Sequence, residues 1–562
     1  MKKRSAKSLL VHRQSFFELY DKTAVKRTAI FLKITNRNSS FQINIFLLFL
    51  FVLNTLQGLA QSDLSVQYSK QISPDSAYST IRILTSDSLE GRETGKPGQK
   101  RAAHYIKNRF SHLNLNPGIF GTYEQFHPIT LRSCETCNIE VNQQFFLFMK
   151  DFYYPSFFTD TMLVIDSVSF IGYGITDPSY DDCKNNDITG KAVIILDGEP
   201  KSKKGKYIIT KSKHASEWST DWKRKVEFIN EKKPRIVFVI TDTIEAMADS
   251  FNYSNKPNAF EVSCRQPNAI PWVYITNDLA QKFFPETMEP ELNKALRKIS
   301  RGKKSVNISS STSAIVKLSA ETDKMRGQNM IGYIEGTEKK NESVFITAHY
   351  DHLGIRDSLL HPGADDNASG TSAVMELARV FQQAAADGHR PLRNIYFMLV
   401  SGEEKGLLGS KYFVKRPPVP LNEIVVDLNI DMIGRTDPKH DSLNDPNYVY
   451  IIGSNKLSTE LHEISERVND SITKLHLDYE YNKPGDPNRF YFRSDHYNFA
   501  KNNIPVIFYF NGTHADYHQT GDTADKINTK LLARRARLVF LTAWEVANRK
   551  ERIRVDRPMP KE

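Results

Sequence analysis

The chain has 562 residues, of which 40% are hydrophobic, 25% are charged and 11% are aromatic, and its formal net charge is +11. An apolar fraction of this size is typical of a chain that buries a core, so wholesale disorder is excluded. The 27 glycines and 25 prolines follow no period, which also excludes collagen-like repeats and coiled-coil arrays. At about 100–200 residues per domain, the length fits about three domains or one large domain with an insertion.

The positive charge is concentrated at the amino terminus. Residues 1–44 contain ten lysines and arginines but only two acidic residues, which accounts for +8 of the total. An uncharged apolar run of nine residues follows at 45–53, and small residues precede Gln61. These features are typical of a secretory signal peptide, which we predict over residues 1–60, with export to the periplasm or the extracellular space. An uncleaved anchor is the alternative, although spanning a bilayer takes about 20 apolar residues.

Removal of the predicted signal peptide lowers the net charge, which changes the binding partners to expect. Without it, a formal charge of +3 remains on the rest of the chain, which does not favour nucleic acid as a partner. No later segment resembles a membrane helix, so we expect no stable membrane span after cleavage. The sequence does not reveal the oligomeric state.

All four cysteines lie in one segment. They are Cys134, Cys137, Cys183 and Cys264. In an exported protein, an even number of cysteines in one segment favours one or two disulfides, whose pairing the sequence does not reveal. The CxxC pair at 134–137 is also compatible with a redox centre or with half of a zinc site. A zinc ribbon needs a second CxxC, which is absent, so the sequence favours disulfides or free thiols.

Beyond the predicted signal peptide, the pattern of predicted helices and strands changes twice. Residues 61–118 carry mostly helical patterns around a polar loop at 87–98, and we assign them to the first part of the main domain. Residues 119–304 carry short alternating strands and turn clusters, which predicts an inserted β-rich domain. Residues 305–550 alternate strands with helices, the pattern of an α/β sheet, and residues 551–562 form a tail.

Short apolar runs define the predicted strands. In the insert they lie at 168–173, 192–196 and 235–240, and in the α/β part at 344–348, 394–400, 424–430 and 504–510. The runs of the α/β part are apolar throughout, which favours strands that are covered on both faces. Apolar residues at helical spacing predict a helix over 370–386. The predicted fold class is therefore α/β.

Polar side chains of the kind that bind metals stand at the ends of these strands. In chain order they are His349 and Asp351, Asp366, Glu403 and Glu404, Asp431 and His518. In an open α/β sheet the ligand crevice lies at the carboxyl ends of the strands, so we expect these side chains to converge there. Imidazole nitrogens and carboxylate oxygens suit zinc, and the set contains no sulfur.

Six motifs surround these residues. They are HYDHLG at 349–354, GADDNASG at 363–370, SGEEKGLLGS at 401–410, LNIDMIGR at 428–435, RSDH at 493–496 and DYH at 516–518. Together they resemble the dizinc aminopeptidases of metallopeptidase family 28. The resemblance runs from the LEGRETG segment at 89–95 to about residue 550, and it implies a mixed β-sheet flanked by helices. Residues 170–200 resemble, more loosely, a protease-associated domain, which makes the predicted insert at 119–304 a domain of that type.

The resemblance implies two Zn²⁺ ions per chain and assigns roles to single residues. Five residues match the zinc ligands, namely His349, Asp366, Glu404, Asp431 and His518. Asp366 matches the carboxylate that bridges both ions, and Glu403 matches the general base that takes a proton from the activated water. Asp351, two residues beyond His349, is placed to hold the other nitrogen of that imidazole.

Three further residues are candidates for contact with the substrate. Tyr517 precedes a predicted metal ligand and is placed to stabilise an oxyanion with its phenol. Arg493 resembles a substrate-contacting arginine of the family, and we expect Asp495 to shape the same wall. Three neighbours are left out because the ligand positions are already filled, namely His352, His361 and Asp365. We expect Asp365 to support its turn.

The expected function is that of a secreted, zinc-dependent aminopeptidase that acts on peptides. A carboxypeptidase similar to the glutamate carboxypeptidases is the alternative, because those enzymes share the core and the insert. A glutaminyl cyclase is disfavoured because that branch works with one zinc ion, whereas this chain retains the complete two-metal set. A non-catalytic, receptor-like scaffold is disfavoured because such relatives have lost ligands and none is missing here.

Overall fold

The computed structural model describes residues 64–154, 161–183, 187–244, 258–261, 270–299 and 307–559. The chain divides into two compact units, Met1–Lys70 and Gln71–Glu562. In the first unit, residues 64–69 are helical, and the predicted signal peptide at 1–60 lies outside the described residues. The sheet and the candidate site both belong to the second unit.

The helices and strands of the second unit have the following bounds. In the described residues the helices are α1 (Pro74–Leu84), α2 (Pro97–His112), α3 (Glu217–Thr220), α4 (Trp222–Glu231), α5 (Asn277–Lys282), α6 (Glu289–Ile299), α7 (Gly370–Ala386), α8 (Leu408–Lys415), α9 (Pro438–Ser442), α10 (Thr459–Val468), α11 (His496–Ala500) and α12 (Thr529–Asn548). The strands are β1 (Asn116–Pro117), β2 (Glu124–Val141), β3 (Gln144–Leu147), β4 (Phe152–Tyr153), β5 (Thr161–Phe170), β6 (Thr176–Asp177), β7 (Tyr180–Asp181), β8 (Ala192–Leu196), β9 (Ile236–Ile240), β10 (Asn258–Glu261), β11 (Trp272–Ile275), β12 (Ile308–Ile334), β13 (Lys339–His349), β14 (Gly354–Arg356), β15 (Leu359–His361), β16 (Arg393–Val400), β17 (Ile424–Ile430), β18 (Tyr448–Ile452), β19 (His476–Asp478) and β20 (Val506–Phe510).

One large sheet runs through these strands in the order β19-β18-β20-β17-β13-β16-β12-β5-β8-β9-β11-β4. Strands β16, β13, β17 and β20 are parallel, whereas β12 is antiparallel to β16 and β18 is antiparallel to β20. The predicted fold class, α/β with a mixed sheet flanked by helices, is therefore confirmed. Because the four central strands are parallel, their carboxyl ends meet at one edge of the sheet.

The apolar runs are strands because both faces of the sheet are covered. Every residue of β16, β17 and β20 is buried. On one face, Phe345 stacks on Tyr396 at a centroid distance of 4.7 Å. The next residue of β16, Phe397, points to the other face and contacts Phe381 of α7. Phe381 in turn lies 4.3 Å from the ring of Phe540 in α12.

The predicted boundaries agree closely with the observed ones in this part of the chain. The helix at 370–386 and the strand at 424–430 have the predicted ends. Strand β20 begins two residues later than predicted, at Val506, because Pro505 has no N–H group to donate. The carbonyl of Pro505 still accepts a hydrogen bond from the backbone of Asp427.

The sheet continues into the region of the predicted insert through two long strands. Strands β2 and β12 pair along their length, from Ala314 opposite Val141 to Met330 opposite Glu124. Beyond them, β5, β8, β9 and β11 run parallel, and β8 and β9 are buried nearly throughout rather than alternating. Buried residues between 139 and 318 form a hydrophobic cluster of their own. The domain type and the boundaries at 119–304 remain predictions.

The cysteines of this region differ in state. Cys137 is disulfide-bonded, as expected for part of the set. Cys183 is a free and buried cysteine, and burial raises the pKa of its thiol to about 11. The side chains of Cys134 and Cys264 lie outside the described residues. Cys183 is therefore a thiol with little nucleophilic character at neutral pH.

Among the described residues, none of the helices has both the length and the apolar composition needed to cross a bilayer.

The packing of α7 on α12 leads to a stability prediction. Phe381→Ala is expected to lower the free energy of unfolding by about 3–5 kcal/mol, because it leaves a cavity beside Phe540. Urea-induced unfolding followed by circular dichroism measures the change. Phe120→Ala is the matched control, since Phe120 is 96% exposed, and it should change the same quantity by less than about 0.5 kcal/mol. Equal effects of the two replacements on the free energy of unfolding would contradict the packing of Phe381 in a core.

Candidate metal centre

The carboxyl edge of the sheet brings the five predicted zinc ligands together. His349 is the last residue of β13, and Asp431 directly follows β17. Glu404 lies in the loop after β16, and His518 lies in the loop after β20. Asp366 lies in the helical turn Ala364–Ser369, directly before α7. The five residues come from five separate segments that only the parallel strand order places side by side.

The two carboxylate oxygens of Asp366 face two different groups of side chains. Its Oδ1 lies 3.3 Å from Nε2 of His349, and that nitrogen lies 3.2 Å from Oδ1 of Asp431. Its Oδ2 lies 3.0 Å from Nε2 of His518, which lies 3.3 Å from Oε2 of Glu404. Asp366 therefore stands between two half-sites, one with His349 and Asp431 and the other with His518 and Glu404.

Two groups of three donor atoms, each of which overlaps one half-site, are compact enough to share one ion. One ligand atom each from His349, Glu403 and Asp431 lie within 4.8 Å of one another. The same holds for His352, Asp366 and Glu404. The carboxylates are buried beside one another, and burial of like charges is costly unless a cation compensates them. A set of nitrogen and oxygen donors without sulfur fits zinc.

The electrostatics of the site reflect this surplus of carboxylates. Burial alone would lower the pKa of His349, but Asp431 and Glu403 raise it well above its usual range. Burial opposes protonation of His518 as well, yet Glu404 and Asp366 raise its pKa to about 11. The site thus holds positive charge strongly. Protons and metal ions compete for the same imidazole nitrogens, because only a neutral imidazole binds a metal.

Asp351 supports both a predicted ligand and the predicted base. Its carboxylate lies 3.7 Å from Nδ1 of His349, and its backbone carbonyl lies 3.2 Å from the same nitrogen. Its Oδ1 accepts a hydrogen bond from the backbone N–H of Glu403, and its Oδ2 accepts one from the hydroxyl of Thr94 at 2.6 Å. Thr94 belongs to the LEGRETG segment, so Asp351 connects that segment to the metal centre.

A small cavity opens onto the half-sites. Its polar side includes Asp366, Glu403, Arg493 and Tyr517, and its apolar side includes Met432, Phe490, Phe508 and Phe510. The Tyr517 ring stacks on His518 at 3.9 Å, and the guanidinium of Arg493 lies 5.0 Å above the ring of Phe490. Burial, followed by the charge of Asp366, raises the pKa of Tyr517 well above its usual range. Its phenol therefore keeps its proton at neutral pH.

Asp495 lies beneath the wall of this cavity rather than in it. It is fully buried, and its Oδ1 accepts a hydrogen bond from the hydroxyl of Ser410 in α8. Burial raises the pKa of Asp495 to about 7, against the opposing charge of His349. The structure thus places it among supporting residues, because its side chain is turned toward α8.

Several supporting residues were not singled out from the sequence. His352, which was left out of the ligand set, lies with Nδ1 2.7 Å from Oε1 of Glu404. The hydroxyl of Ser494 donates a hydrogen bond to Oδ2 of Asp431 at 2.7 Å. Both residues lie inside quoted motifs, and their spacing alone gave no reason to prefer them. As expected, Asp365 supports its turn, since its Oδ1 accepts a hydrogen bond from Gly434 N–H.

Arg92 explains why the LEGRETG segment belongs to the site. This buried guanidinium donates hydrogen bonds to the backbone carbonyls of Tyr350, Leu84, Pro362 and Gly363. Burial lowers the pKa of Arg92 to about 10, although Asp351 opposes the shift. The side chain remains charged at neutral pH and fastens the loops on either side of the metal centre.

Comparison with known proteins agrees with this arrangement. Residues 329–543 match the model of peptidase family M28. Aminopeptidase YwaD of Bacillus subtilis is 36% identical over 132 residues, which are 23% of this chain and 27% of that protein. A probable leucine aminopeptidase of Arthroderma otae is 30% identical over 217 residues, 37% of this chain and 55% of that protein. The chain thus matches about a quarter and about half of the length of these two relatives.

A solved structure also shares the fold. The aminopeptidase from Aneurinibacillus sp. strain AM-1 superposes with a TM-score of 0.53 at 17% sequence identity, over 88% of this chain and all of that one. The six motifs quoted from the sequence all lie within residues 329–543, the part of the chain that matches the model of peptidase family M28. The resemblance of the six motifs is therefore confirmed.

The contacts of Asp351 lead to a prediction about metal binding. Asp351→Asn is expected to weaken zinc binding by about 10–100-fold, because it removes the charge behind a ligating imidazole. Titration of the metal-free chain with zinc against a competing chelator measures this affinity. Asp357→Asn is the matched control, because Asp357 is exposed in the same stretch of chain. Unchanged affinity in Asp351→Asn would contradict the supporting role.

Proposed function

We propose that this chain is a zinc-dependent aminopeptidase that binds two zinc ions and removes amino-terminal residues from peptides. The observation that carries the proposal is the position of Asp366, whose two oxygens face two separate groups of ligand atoms. A carboxylate in this position is suited to bridge two ions. The match of residues 329–543 to peptidase family M28 and the similarity to aminopeptidases support the same function.

Each half-site offers a distinct ligand set for one ion. His349 and Asp431 would hold the first ion, His518 and Glu404 would hold the second, and Asp366 would contribute one oxygen to each. When bound, zinc supplies Lewis-acid chemistry that activates water and polarises a peptide carbonyl. The buried carboxylates and imidazoles fit this group, since they supply only nitrogen and oxygen donors.

Glu403 is the residue we assign to proton transfer. It lines the cavity beside Asp366 and Asp431, so its carboxylate faces the space where a reacting water would lie. Desolvation, followed by the charge of Glu404 and opposed by His349, raises the pKa of Glu403 well above its usual range. A carboxylate of raised pKa is a better proton acceptor, and it can pass the proton on to a departing amine.

The remaining cavity residues fit contact with the substrate. Tyr517 remains protonated and can donate a hydrogen bond to a developing oxyanion. Met432, Phe490, Phe508 and Phe510 form an apolar wall. Since burial of an apolar side chain against such a wall is favourable, we expect a preference for peptides with an apolar first residue.

A carboxypeptidase is the second candidate, and Arg493 is the observation that favours it. Its guanidinium lines the cavity, and arginine is the side chain best suited to bind a terminal carboxylate. Two of the relatives that match this chain are instead named as aminopeptidases. We therefore place the aminopeptidase first.

We also propose that the protein is exported. The basic and apolar pattern of residues 1–60 supports this proposal, and so does the disulfide at Cys137, because disulfides persist mainly in oxidising compartments. Cell fractionation with an antibody against the full chain tests it, and accumulation in the cytoplasm would contradict it.

The different roles proposed for the adjacent residues Glu403 and Glu404 lead to a mutational prediction. Glu403→Gln is expected to retain both zinc ions and to lower kcat by about 10²–10⁴-fold, because the amide accepts no proton. Glu404→Gln is the matched comparison and should lose zinc instead, because it removes a ligand charge. Steady-state kinetics and elemental analysis of the same preparations measure both quantities. Full activity in Glu403→Gln would exclude it as the base.

The two candidate functions differ in the end of the peptide that they recognise. The chain is expected to hydrolyse aminoacyl-anilides and free-amine peptides, with leucine and phenylalanine preferred over aspartate as the first residue. Peptides with a blocked amine and a free carboxylate should remain intact. Chromatography of the products identifies the bond that is cleaved. Turnover of only the blocked peptides would establish the carboxypeptidase.

A further inference from the structure

A second group of histidine and carboxylate side chains lies at the edge of the sheet and shares no residue with the candidate metal centre. One ligand atom each from His440, Asp445 and His476 lie within 4.8 Å of one another. His440 is in α9, Asp445 is in the loop before β18, and His476 begins β19, the last strand at that end of the sheet. The group thus joins three segments at one edge of the sheet.

The contacts of His440 leave one of its ring nitrogens available to bind a cation. The residue is completely buried, and its Nδ1 lies 2.7 Å from Oδ1 of Asp437. The same carboxylate accepts hydrogen bonds from the His440 backbone N–H and from the Tyr450 hydroxyl, so it acts as an acceptor throughout. The proton of a neutral His440 therefore belongs on Nδ1, which leaves the lone pair on Nε2. A carboxylate behind the imidazole is the arrangement that orients metal-binding histidines.

The Nε2 atom of His440 has no hydrogen-bond partner among the described residues. Stacking of the ring on Tyr448 at a centroid distance of 3.3 Å fixes its orientation. Nε2 lies 3.4 Å from Oδ2 of Asp478. This is the spacing of two ligands of one tetrahedral zinc ion, which lie about 3.3 Å apart when the bonds are about 2.0–2.1 Å long. Asp478 is therefore placed to be a fourth ligand.

The other two proposed ligands, His476 and Asp445, lie close to each other. Nδ1 of His476 lies 2.7 Å from Oδ2 of Asp445, a hydrogen-bond distance that widens when an ion enters. The side chain of His476 is 53% exposed, so it can rotate without disturbing the core. Oδ2 of Asp478 also contacts Nζ of Lys439 at 2.5 Å, and Lys439 contacts Glu480 as well, so an ion bound by Asp478 would displace Lys439 toward Glu480.

We propose that His440, Asp445 and His476, completed by Asp478, form a separate binding site for a divalent transition-metal ion such as zinc. Two imidazoles and two carboxylates are ligands that zinc, copper and nickel accept. The ion would connect α9 and the loop before β18 to β19, and so fasten the edge of the sheet. The competing explanation is a hydrogen-bonded cluster that needs no metal.

Zinc content of variants tests the proposal on the full chain. Wild type, His476→Ala and Asp445→Asn are dialysed against the same buffered zinc solution near neutral pH, and zinc per chain is measured by elemental analysis. Both variants should hold about one zinc ion per chain fewer than wild type, because each removes a ligand from a single site. His462→Ala is the matched control, since this histidine of α10 is also partly exposed and lies outside the group.

Hydrolysis of an aminoacyl-anilide by the same preparations separates this site from the catalytic one. His476→Ala should retain activity within about twofold of wild type, as expected for a surface change away from the reacting groups. Equal zinc content in all four proteins would overturn the proposal in favour of the metal-free cluster. Loss of zinc together with a proportional loss of activity would overturn it too, because the missing ion would then be a catalytic one.

Discussion

The candidate active site depends on holding one buried carboxylate, that of Asp366, where both of its oxygens are used. The turn that carries it is fixed from two sides. The carboxylate of Asp522 accepts hydrogen bonds from the backbone N–H groups of Asp365 and Asp366. The side chain of Asn367 donates to the carbonyl of Ile430 and accepts from the N–H of Met432, which ties the turn to the end of β17. Without these bonds, the two half-sites would have no common residue.

The surplus of negative charge around Asp366 explains the chemistry of its neighbours. Burial disfavours charge, yet Asp366, Glu403, Glu404 and Asp431 stand within reach of one another, and the imidazoles beside them have raised pKa values. This site favours cations of either kind, protons or metal ions. The same environment raises the pKa of Glu403, which suits a group that accepts and releases a proton. The proposed metal binding and the proposed proton transfer would therefore share one electrostatic cause.

The two sites proposed for metal ions use different parts of the same sheet. The candidate active site lies where parallel strands end, because there the loops from β13, β16, β17 and β20 converge. The group around His440 lies beside β19, a short strand that has a neighbour on one side only among the described strands. Edge strands need protection from further pairing and from fraying. A metal ion between α9 and β19 would supply it at the position where the sheet itself offers least support.

The sequence by itself determined the strands and the helix that build the core, since a continuous apolar run and a helical period are local properties. It also indicated the five predicted ligands and Glu403, because each stands at a strand end or in a turn within a specific motif. Tertiary structure decided what these residues do to one another. Only the packed sheet shows that the oxygens of Asp366 face separate groups, that His352 contacts Glu404, and that Asp495 lies under the cavity wall. The physical reason is that distances between side chains from distant strands depend on strand order and register, which no local pattern encodes.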